Sequence, residues 1–312
     1  MNEPQLASSF ERQMQLGFIG LGNMGAPMVR RFIGAGFSVI VQDISHAATS
    51  ALPVEKVQIA ETPAAVSARA DVVFLSLPTP DIVSDVCTGP NGVLEGQATR
   101  ILVDLSTTGP RLTERLSTRF RAKEVAFIDA PVSGGVVAAE RGSLAVMAAG
   151  DRGAFNTVEP LLHVLGDKVF YVGARAGMGQ SMKLVNNMLA ATNAIAAFET
   201  LVLGAKLGLD PQLMLDVLNA SSGQNFATLH KIPQCVLPRT FPKRFTTRLM
   251  HKDVCLCVQE AEASGALLWL GQTVKQVLAF AIAQGDGEQD YATIIRHFER
   301  WAKTTVGKDP VE

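Results

Sequence analysis

Residues 14–43 decide the fold, and they read MQLGFIGLGNMGAPMVRRFIGAGFSVIVQD. The apolar run 16–19 suits a buried strand, and apolar side chains about one helical turn apart follow over 24–32. A second apolar run, 37–41, leads to Asp43. The order is therefore strand, tight turn, helix, strand and acid, which is typical of one strand–helix–strand unit of a parallel sheet.

The turn contains glycines in the spacing G-x-G-x-x-G, at Gly20, Gly22 and Gly25. Gly20 allows a sharp turn, Gly22 leaves the backbone open to a pyrophosphate, and Gly25 lets helix and strand pack closely. The free N–H groups at the helix start favour a phosphate there. Asp43 follows the first glycine by about the ~20 residues expected of an acid that accepts hydrogen bonds from an adenosine ribose. We therefore predict a dinucleotide site.

The surroundings of Asp43 favour NAD over NADP. Its carboxylate would repel a 2′-phosphate, and NADP sites usually offer a nearby arginine. Ile44, Ser45 and His46 follow Asp43, and no Arg or Lys occurs before Lys56. We therefore predict NAD as the cofactor.

The alternation of short apolar runs and helical segments continues to about residue 173. Further strands are predicted at 71–77, 101–105, 125–129, 144–149 and 169–172, with helices at 80–86 and 110–123. This pattern predicts an α/β fold whose N-terminal part is a Rossmann-type, doubly wound and mostly parallel sheet.

The pattern changes after Gly173. Residues 178–207 read as one long helix, Gly208 can end it, and Asp210 and Pro211 suit the cap and first position of the next helix. We predict a flexible leader (1–13), an NAD-binding domain (14–175) and an all-helical C-terminal domain (176–312) joined by the long helix. Later helical segments are predicted at 253–264, 273–284 and 290–303.

Composition excludes several classes of protein. The 312 residues are 47% hydrophobic and 18% charged, so the chain can bury a large core. A formal net charge of −1 argues against nucleic-acid or membrane-surface binding. Four cysteines without C-x-x-C and five scattered histidines predict neither disulfides nor a metal site. No signal-peptide pattern or unbroken membrane-spanning run is present, and we expect a soluble, cytoplasmic protein.

Two loops and one nest-like segment fall at the carboxyl ends of predicted strands, where such sheets bind ligands. Leu77 and Pro78 follow one strand, and Ser106 and Thr107 follow another. The segment DAPVSGG, 129–135, follows a third. There the Ser hydroxyl and adjacent glycine N–H groups could hold a carboxylate, or the segment could be an ordinary turn. The residues alone do not decide between a carboxylate-binding segment and an ordinary turn.

The segment GMGQSMKLVNN, 177–187, places Lys183 and Asn187 on one helix face. The helix beyond, 188–203, is apolar nearly all round, which predicts burial. Burial, and a nearby cationic nicotinamide, lower the pKa of a lysine, which could then relay the proton of an alcohol. A lysine that simply reaches solvent is the alternative. Lys252, in the segment MHKD at 250–253, is on its own interpreted as a surface lysine.

Four motifs in this order resemble the β-hydroxyacid dehydrogenase family, which includes 3-hydroxyisobutyrate dehydrogenases and tartronate semialdehyde reductases. They are GFIGLGNMG at 17–25, DAPVSGG at 129–135, G-x-G-x-x-x-K-x-x-N-N at 177–187 and KD at 252–253. The resemblance implies that Lys183 is the general acid/base and that Asn187 orients the substrate. It also implies a homodimer or homotetramer formed through the helical domain.

The same resemblance implies the remaining site residues. Ser133, Gly134 and Gly135 would hold the carboxylate of a small hydroxy-acid substrate. The cofactor would be contacted by Gly20, Gly22, Asn23, Met24, Gly25, Asp43, Leu77, Pro78, Thr107 and Lys252.

We therefore expect an NAD-dependent dehydrogenase that oxidises a small 3-hydroxy acid, similar to 3-hydroxyisobutyrate, to the semialdehyde or keto acid. One alternative is an NAD(P)H-dependent reductase of tartronate or succinic semialdehyde or of glyoxylate, against which Asp43 weighs. Another is a dinucleotide-binding protein without catalysis, or an imine reductase. The presence of Lys183 argues against both, because such relatives usually lack that lysine.

Overall fold

The computed structural model describes residues 14–307 of the chain. The leader predicted at 1–13 lies outside the described residues. The chain divides into two compact units, and the division falls between Lys183 and Leu184.

The described part of the first unit contains one sheet of nine strands. They are β1 Leu16–Ile19, β2 Val39–Gln42, β3 Val57–Ile59, β4 Val72–Leu75, β5 Ile101–Asp104, β6 Ala126–Asp129, β7 Val132–Ser133, β8 Ala145–Ala149 and β9 Lys168–Gly173. The order is β3-β2-β1-β4-β5-β6-β8-β7, with β9 paired to β8.

The strands from β3 to β6 in this order are all parallel, and β8 runs antiparallel to β6 and β7. The parallel part has the order 3-2-1-4-5-6 of a doubly wound dinucleotide-binding sheet. The predicted α/β, mostly parallel fold is therefore confirmed. It places the loops after β1, β2, β4, β5 and β6 at one edge of the sheet.

Helices cover both faces of this sheet. Strand residues alternate between the faces: Val72 and Phe74 pack in a core with α1 and α7, whereas Val73 and Leu75 pack in a core with α3, α4 and α5. The helices are α1 Gly25–Gly34, α2 His46–Ser50, α3 Pro63–Ser67, α4 Pro80–Thr88, α5 Pro110–Arg121, α6 Gly135–Arg141 and α7 Arg152–Leu165. Short 3₁₀ turns occupy Val54–Lys56 and Val93–Glu95.

The second unit is helical. Over 184–307 its β pairing is limited to the bridge between Thr246 and Asp290. Its elements are the continuation of α8 Met178–Lys206, α9 Pro211–Asn219, a π-helix Ala227–Val236, α10 Thr247–Ser264, α11 Trp269–Ala283, 3₁₀ turns Asp286–Glu288 and Tyr291–Ile294, and α12 Ile295–Ala302. The predicted long helix and all-helical C-terminal part are confirmed. α10 begins earlier than the predicted 253 because the Thr246 hydroxyl caps it, accepting from Leu249 N at 3.2 Å.

The prediction that 188–203 is buried on all sides is wrong for one face of α8. Leu189 and Leu203 are 61% and 58% exposed. The other face, with Ala194, Phe198 and Leu201, lies in the core of the second unit. α8 is long and apolar enough to cross a membrane, but half of that apolar stretch is buried inside the protein. Its apolar character is therefore explained by its place in the core.

Candidate functional site

The glycine loop after β1 has the shape that a pyrophosphate requires. Gly20 has a φ of +95°, and a Cβ there would collide with the carbonyl oxygen of Ser76. A Cβ on Gly25 would collide with the carbonyl oxygen of Gly20. A Cβ on Gly22 would meet nothing within 4 Å, so the loop borders open space at that residue. The arrangement fits a dinucleotide, whose phosphates need backbone N–H groups without side chains in front of them.

Asn23 and Met24 complete the loop. Asn23 is exposed and Met24 is half-buried. Met24 is the N-cap of α1 and makes no side-chain capping hydrogen bond. The first N–H groups of α1 are therefore not covered by a capping side chain, as an anion site at a helix start requires.

The carboxylate of Asp43 is anchored to this loop. Its Oδ2 accepts a hydrogen bond from Leu21 N at 2.6 Å, and its Oδ1 accepts one from Ser45 N at 2.7 Å. Each carboxylate oxygen can accept a further hydrogen bond. Asp43 can thus hold ribose hydroxyls while it fixes the backbone of the glycine loop.

The loops after β4 and β5 are joined to each other. Leu77 N donates to the Ser106 hydroxyl at 2.9 Å, and Ser106 N donates to Asp104 Oδ1 at 2.9 Å. Asp104 ends β5 and is fully buried. These bonds hold Leu77 beside the segment that contains the half-buried Thr107, while Pro78 is exposed. Three of the predicted cofactor contacts therefore lie on two linked loops at one edge of the sheet.

The segment 129–135 forms β7 and the start of α6. Ser133 ends β7 opposite Ala145 of β8 and is half-buried. Gly134 and Gly135 are exposed and have φ values of +132° and +71°, which side chains rarely adopt. A Cβ on Gly135 would meet nothing within 4 Å. The Ser133 hydroxyl and the backbone N–H groups of two exposed glycines thus lie on neighbouring residues.

The first turn of α8 is fixed to the sheet by Asp129, the last residue of β6. Its Oδ1 accepts from Gly177 N at 2.8 Å and its Oδ2 accepts from Gln180 N at 2.9 Å. Burial raises the pKa of Asp129 from its ordinary 3.8 to about 7, the two N–H groups oppose that rise, and Asp104 adds to it. A Cβ on Gly179 would collide with the carbonyl oxygen of Met147, so glycine is required where the helix touches β8.

Lys183 follows Gly179 by four residues and so lies on the same face of α8. It is 8% exposed, which removes the alternative of a lysine that reaches solvent. Within the first unit, the structure therefore brings Lys183 to the same edge of the sheet as the glycine loop.

Asn187 and Lys252 are brought together in the second unit. Asn187 Nδ2 donates to Asp253 Oδ2 at 2.6 Å, and Lys252 Nζ lies 3.1 Å from Asp253 Oδ1. Asp253 is 2% exposed, and Lys252 keeps 20% of its side chain exposed. The interpretation of Lys252 as a surface lysine is therefore wrong, because an ion pair with a buried carboxylate holds it.

Sequence reasoning assigned no role to Asp129, Gln180 or Asp253. Asp129 and Asp253 stand inside the quoted motifs, and a carboxylate after a strand or beside a lysine is a signal that could have found them. Gln180 carries no such signal, because its side-chain hydrogen bonds are with residues more than 70 positions away.

Metal ligation has no support among residues 14–307, where no group of three or more His, Cys, Asp or Glu side chains could hold a metal ion. All four cysteines lie in this range and are free thiols.

Two family models match the chain. The model described as the NAD binding domain of 6-phosphogluconate dehydrogenase matches residues 15–173. The model described as NAD-binding of NADP-dependent 3-hydroxyisobutyrate dehydrogenase matches residues 177–298. Together they span both units.

Individual proteins match over nearly the whole chain. The 2-(hydroxymethyl)glutarate dehydrogenase of Eubacterium barkeri is 33% identical over 297 residues, which are 95% of this chain and 98% of the relative. Human mitochondrial 3-hydroxyisobutyrate dehydrogenase is 34% identical over 288 residues, which are 90% of this chain and 85% of the relative. The solved structure of Mycobacterium tuberculosis 3-hydroxyisobutyrate dehydrogenase with L-serine has a TM-score of 0.81 at 33% identity, and the match covers 91% of this chain and 98% of that structure's chain.

Proposed function

The chain belongs to the β-hydroxyacid dehydrogenase family, and we propose that it catalyses the NAD-dependent oxidation of a small 3-hydroxy acid similar to 3-hydroxyisobutyrate. Membership makes it an oxidoreductase that acts on the CH–OH group of hydroxy acids with a nicotinamide dinucleotide. The product would be the semialdehyde or keto acid.

The names of the relatives support this substrate class. 3-Hydroxyisobutyrate and 2-(hydroxymethyl)glutarate both carry a hydroxymethyl group on the carbon next to a carboxylate. Such an acid needs one group that holds its carboxylate and one that takes the hydroxyl proton. Ser133 and the N–H groups of the exposed residues Gly134 and Gly135 would supply the first, and Lys183 would supply the second.

The position of Lys183 is the observation that carries the proposal. A buried lysine is costly unless it has partners or a task, and Asp129 fixes the start of its helix at the edge where the glycine loop lies. In the oxidation the neutral amine of Lys183 accepts the hydroxyl proton as the carbinol C–O bond becomes a carbonyl. The bound nicotinamide supplies the hydride acceptor for the hydrogen that leaves the same carbon. Asn187, oriented by Asp253, would orient the substrate.

Asp43 supports NAD as the preferred cofactor. Its carboxylate is bonded to Leu21 N and Ser45 N beside the glycine loop, and a 2′-phosphate at the same place would face like charge. The description of the second family model names NADP, so the preference has to be measured with both cofactors.

Assembly through the second unit is part of the proposal. Four large apolar side chains on α8 and in the residue that follows it are between 58% and 71% exposed: Val185, Leu189, Leu203 and Leu207. We infer that a second copy covers them, giving a homodimer or homotetramer. The human relative is named as mitochondrial; a cytoplasmic location for this chain stays a prediction, which cell fractionation would check.

A panel of substrates tests the proposed function. NAD and NADP reduction would be followed at mildly alkaline pH with both 3-hydroxyisobutyrate enantiomers, 2-(hydroxymethyl)glutarate, 3-hydroxypropionate, L-serine, D-glycerate and L-threonate. We expect one 3-hydroxy acid to be oxidised faster than the others, with NAD as the cofactor. Inactivity with every acid, together with NADPH oxidation by a small semialdehyde, would favour the reductase instead.

A further inference from the structure

The side chain of Gln180 is fully buried, and its amide is hydrogen-bonded to the loop after β5. Its Oε1 accepts from Thr108 N at 2.9 Å and from Gly109 N at 3.2 Å, and its Nε2 donates to the carbonyl oxygen of Ser106 at 2.9 Å. Its exposed fraction is 0%. Three hydrogen bonds from one side chain therefore fix the backbone on both sides of Thr107.

The backbone of Gln180 is fixed as well. Gln180 N donates to Asp129 Oδ2 at 2.9 Å, and Asp129 also accepts from Gly177 N. Gln180 thus joins three parts of the first unit: the end of β6, the first turn of α8 and the loop after β5. An amide suits this place because its oxygen can accept from two N–H groups while its nitrogen donates to a carbonyl, whereas an ionised carboxylate has no donor.

Lys183 lies three residues after Gln180 in the same helix, a rise of about 4.5 Å. Thr107 lies within the loop that the Gln180 amide holds. The helix segment between Gln180 and Lys183 is less than one turn and is rigid, so a displacement of the loop relative to the helix would change the distance from Thr107 to Lys183. Errors of about 1 Å in such distances can cost about 100-fold in rate.

We propose that Gln180 is a positioning residue, which sets the place of the Lys183 amine relative to the loop 106–109 and thereby to the cofactor. The inference rests on the proposed function, since it assumes that Lys183 exchanges the proton of the substrate. Gln180 itself touches neither substrate nor reacting atoms; it acts through Lys183 and Thr107.

A purely structural role would also explain a buried amide with good hydrogen bonds. The test therefore needs a measured quantity that does not change when only the stability of the protein changes. The Gln180→Leu variant removes all three side-chain bonds at similar volume. Gln180→Glu retains an acceptor for Thr108 N and Gly109 N but loses the donor to Ser106. Thr99→Val is the matched control. Thr99 is also buried, and its hydroxyl oxygen lies 3.1 Å from the Ser67 carbonyl oxygen and 2.9 Å from that of Ala70, so one proton is shared between them. Thr99 precedes β5 and therefore lies at the opposite edge of the sheet.

The measurements are kcat, KM, the thermal midpoint and the primary deuterium isotope effect on kcat, with the hydroxy acid deuterated at the carbon that loses hydride. In Gln180→Leu we expect kcat to fall about 10- to 100-fold, with KM for the acid changed less than about threefold. The isotope effect should rise, because hydride transfer becomes the slow step. Gln180→Glu should lie between Gln180→Leu and wild type, and carries the test if Gln180→Leu does not fold.

The control separates positioning from stability. Thr99→Val should lower the thermal midpoint but keep the kcat and isotope effect of the wild type. Equal losses of stability in Gln180→Leu and Thr99→Val, both with wild-type kcat and isotope effect, would overturn the inference. An active Lys183→Ala variant would instead contradict the proposed function. An inactive Lys183→Ala with an unimpaired Gln180→Leu would overturn only the role of Gln180.

Discussion

Asn187 Nδ2 lies 2.6 Å from Asp253 Oδ2, and the Asn187 Oδ1 accepts from Asn186 Nδ2 at 3.0 Å. Only the amide nitrogen can donate to a carboxylate, so Asp253 determines which way the Asn187 amide points. The second carboxylate oxygen lies 3.1 Å from Lys252 Nζ. One buried carboxylate therefore joins two motifs that are far apart in the sequence.

This relationship predicts that Asn187 and Asp253 act as a unit. Asn187→Ala and Asp253→Ala should each lower kcat/KM for the hydroxy acid. The kcat/KM of the double variant should be no more than about threefold below that of the less active single variant, because the effects of residues in one hydrogen-bonded network are not additive. The measurement is a double-mutant cycle on kcat/KM, with the thermal midpoint followed in parallel.

The control for this cycle is the pair Arg239 and Glu299 in the same unit, whose Nη1 and Oε1 atoms are 2.6 Å apart. Alanine variants of that pair should lower the thermal midpoint and leave kcat/KM unchanged. Full additivity between Asn187→Ala and Asp253→Ala would show that Asp253 does not orient the amide.

Asp43 predicts the cofactor preference. In Asp43→Ser we expect kcat/KM with NAD to fall about 10-fold or more, since the variant loses charged hydrogen bonds to the ribose and to Leu21 N. The value with NADP should rise as the repulsion is removed. Asp71→Ser is the matched control, because Asp71 also accepts from a backbone N–H, that of Gln15 at 2.9 Å, but it precedes β4 whereas Asp43 follows β2, so the two lie at opposite edges of the sheet. Equal efficiency of wild type with NAD and NADP would contradict the role given to Asp43.

Asp129 predicts a dependence of stability on pH. Its pKa is raised from 3.8 to about 7 by burial, so the folded state binds this proton more tightly than the unfolded state does. The stability contributed by the protonated form therefore falls as pH rises from about 4 to about 7 and is level above that, with a total change of at most about 4 kcal/mol.

The check is urea unfolding of wild type and Asp129→Asn at several pH values in that range. The free energy of unfolding of wild type, relative to that of Asp129→Asn, should decrease with rising pH, because the variant cannot titrate. A difference that is constant or that increases with pH would show that Asp129 is not a proton-binding group in this range.

The exposed apolar face of α8 predicts self-association. Leu189→Glu should lower the molar mass measured by light scattering from that of an oligomer towards that of a monomer, because a charge would be buried in the interface. Ile59→Glu is the control, since Ile59 is 53% exposed in the first unit. A wild-type protein that is monomeric at micromolar concentration would contradict this assembly.

The sequence predicted the sheet and the glycine loop well because both depend on local physics. Buried parallel strands are short apolar runs. Glycine is required at position 25 because a Cβ there would collide with Gly20 in the same turn, and at position 20 because a Cβ there would collide with the backbone that follows the neighbouring strand. By contrast, α7 was not predicted, and Pro160 in its interior is a residue that normally interrupts helices.

The residues proposed for the candidate site stand in sequence motifs, whereas the residues that fix them in place depend on long-range contacts. Lys183, Asn187 and Lys252 carry functional groups that stand out in the sequence. The hydrogen bonds of Gln180 form only once the loop after β5 and the start of α8 meet in the fold. The burial of α8 was overestimated because composition cannot tell which apolar face packs within one chain.

Lys183 as the general acid/base is the central claim, and turnover of Lys183→Ala and Lys183→Arg tests it most directly. Arginine keeps the positive charge but cannot take up the substrate proton, and Lys206→Ala, at the exposed end of the same helix, is the control. We expect kcat of both Lys183 variants to fall by about 10²- to 10⁴-fold, with NAD affinity near that of wild type and Lys206→Ala unchanged. Wild-type turnover in Lys183→Ala would contradict the account.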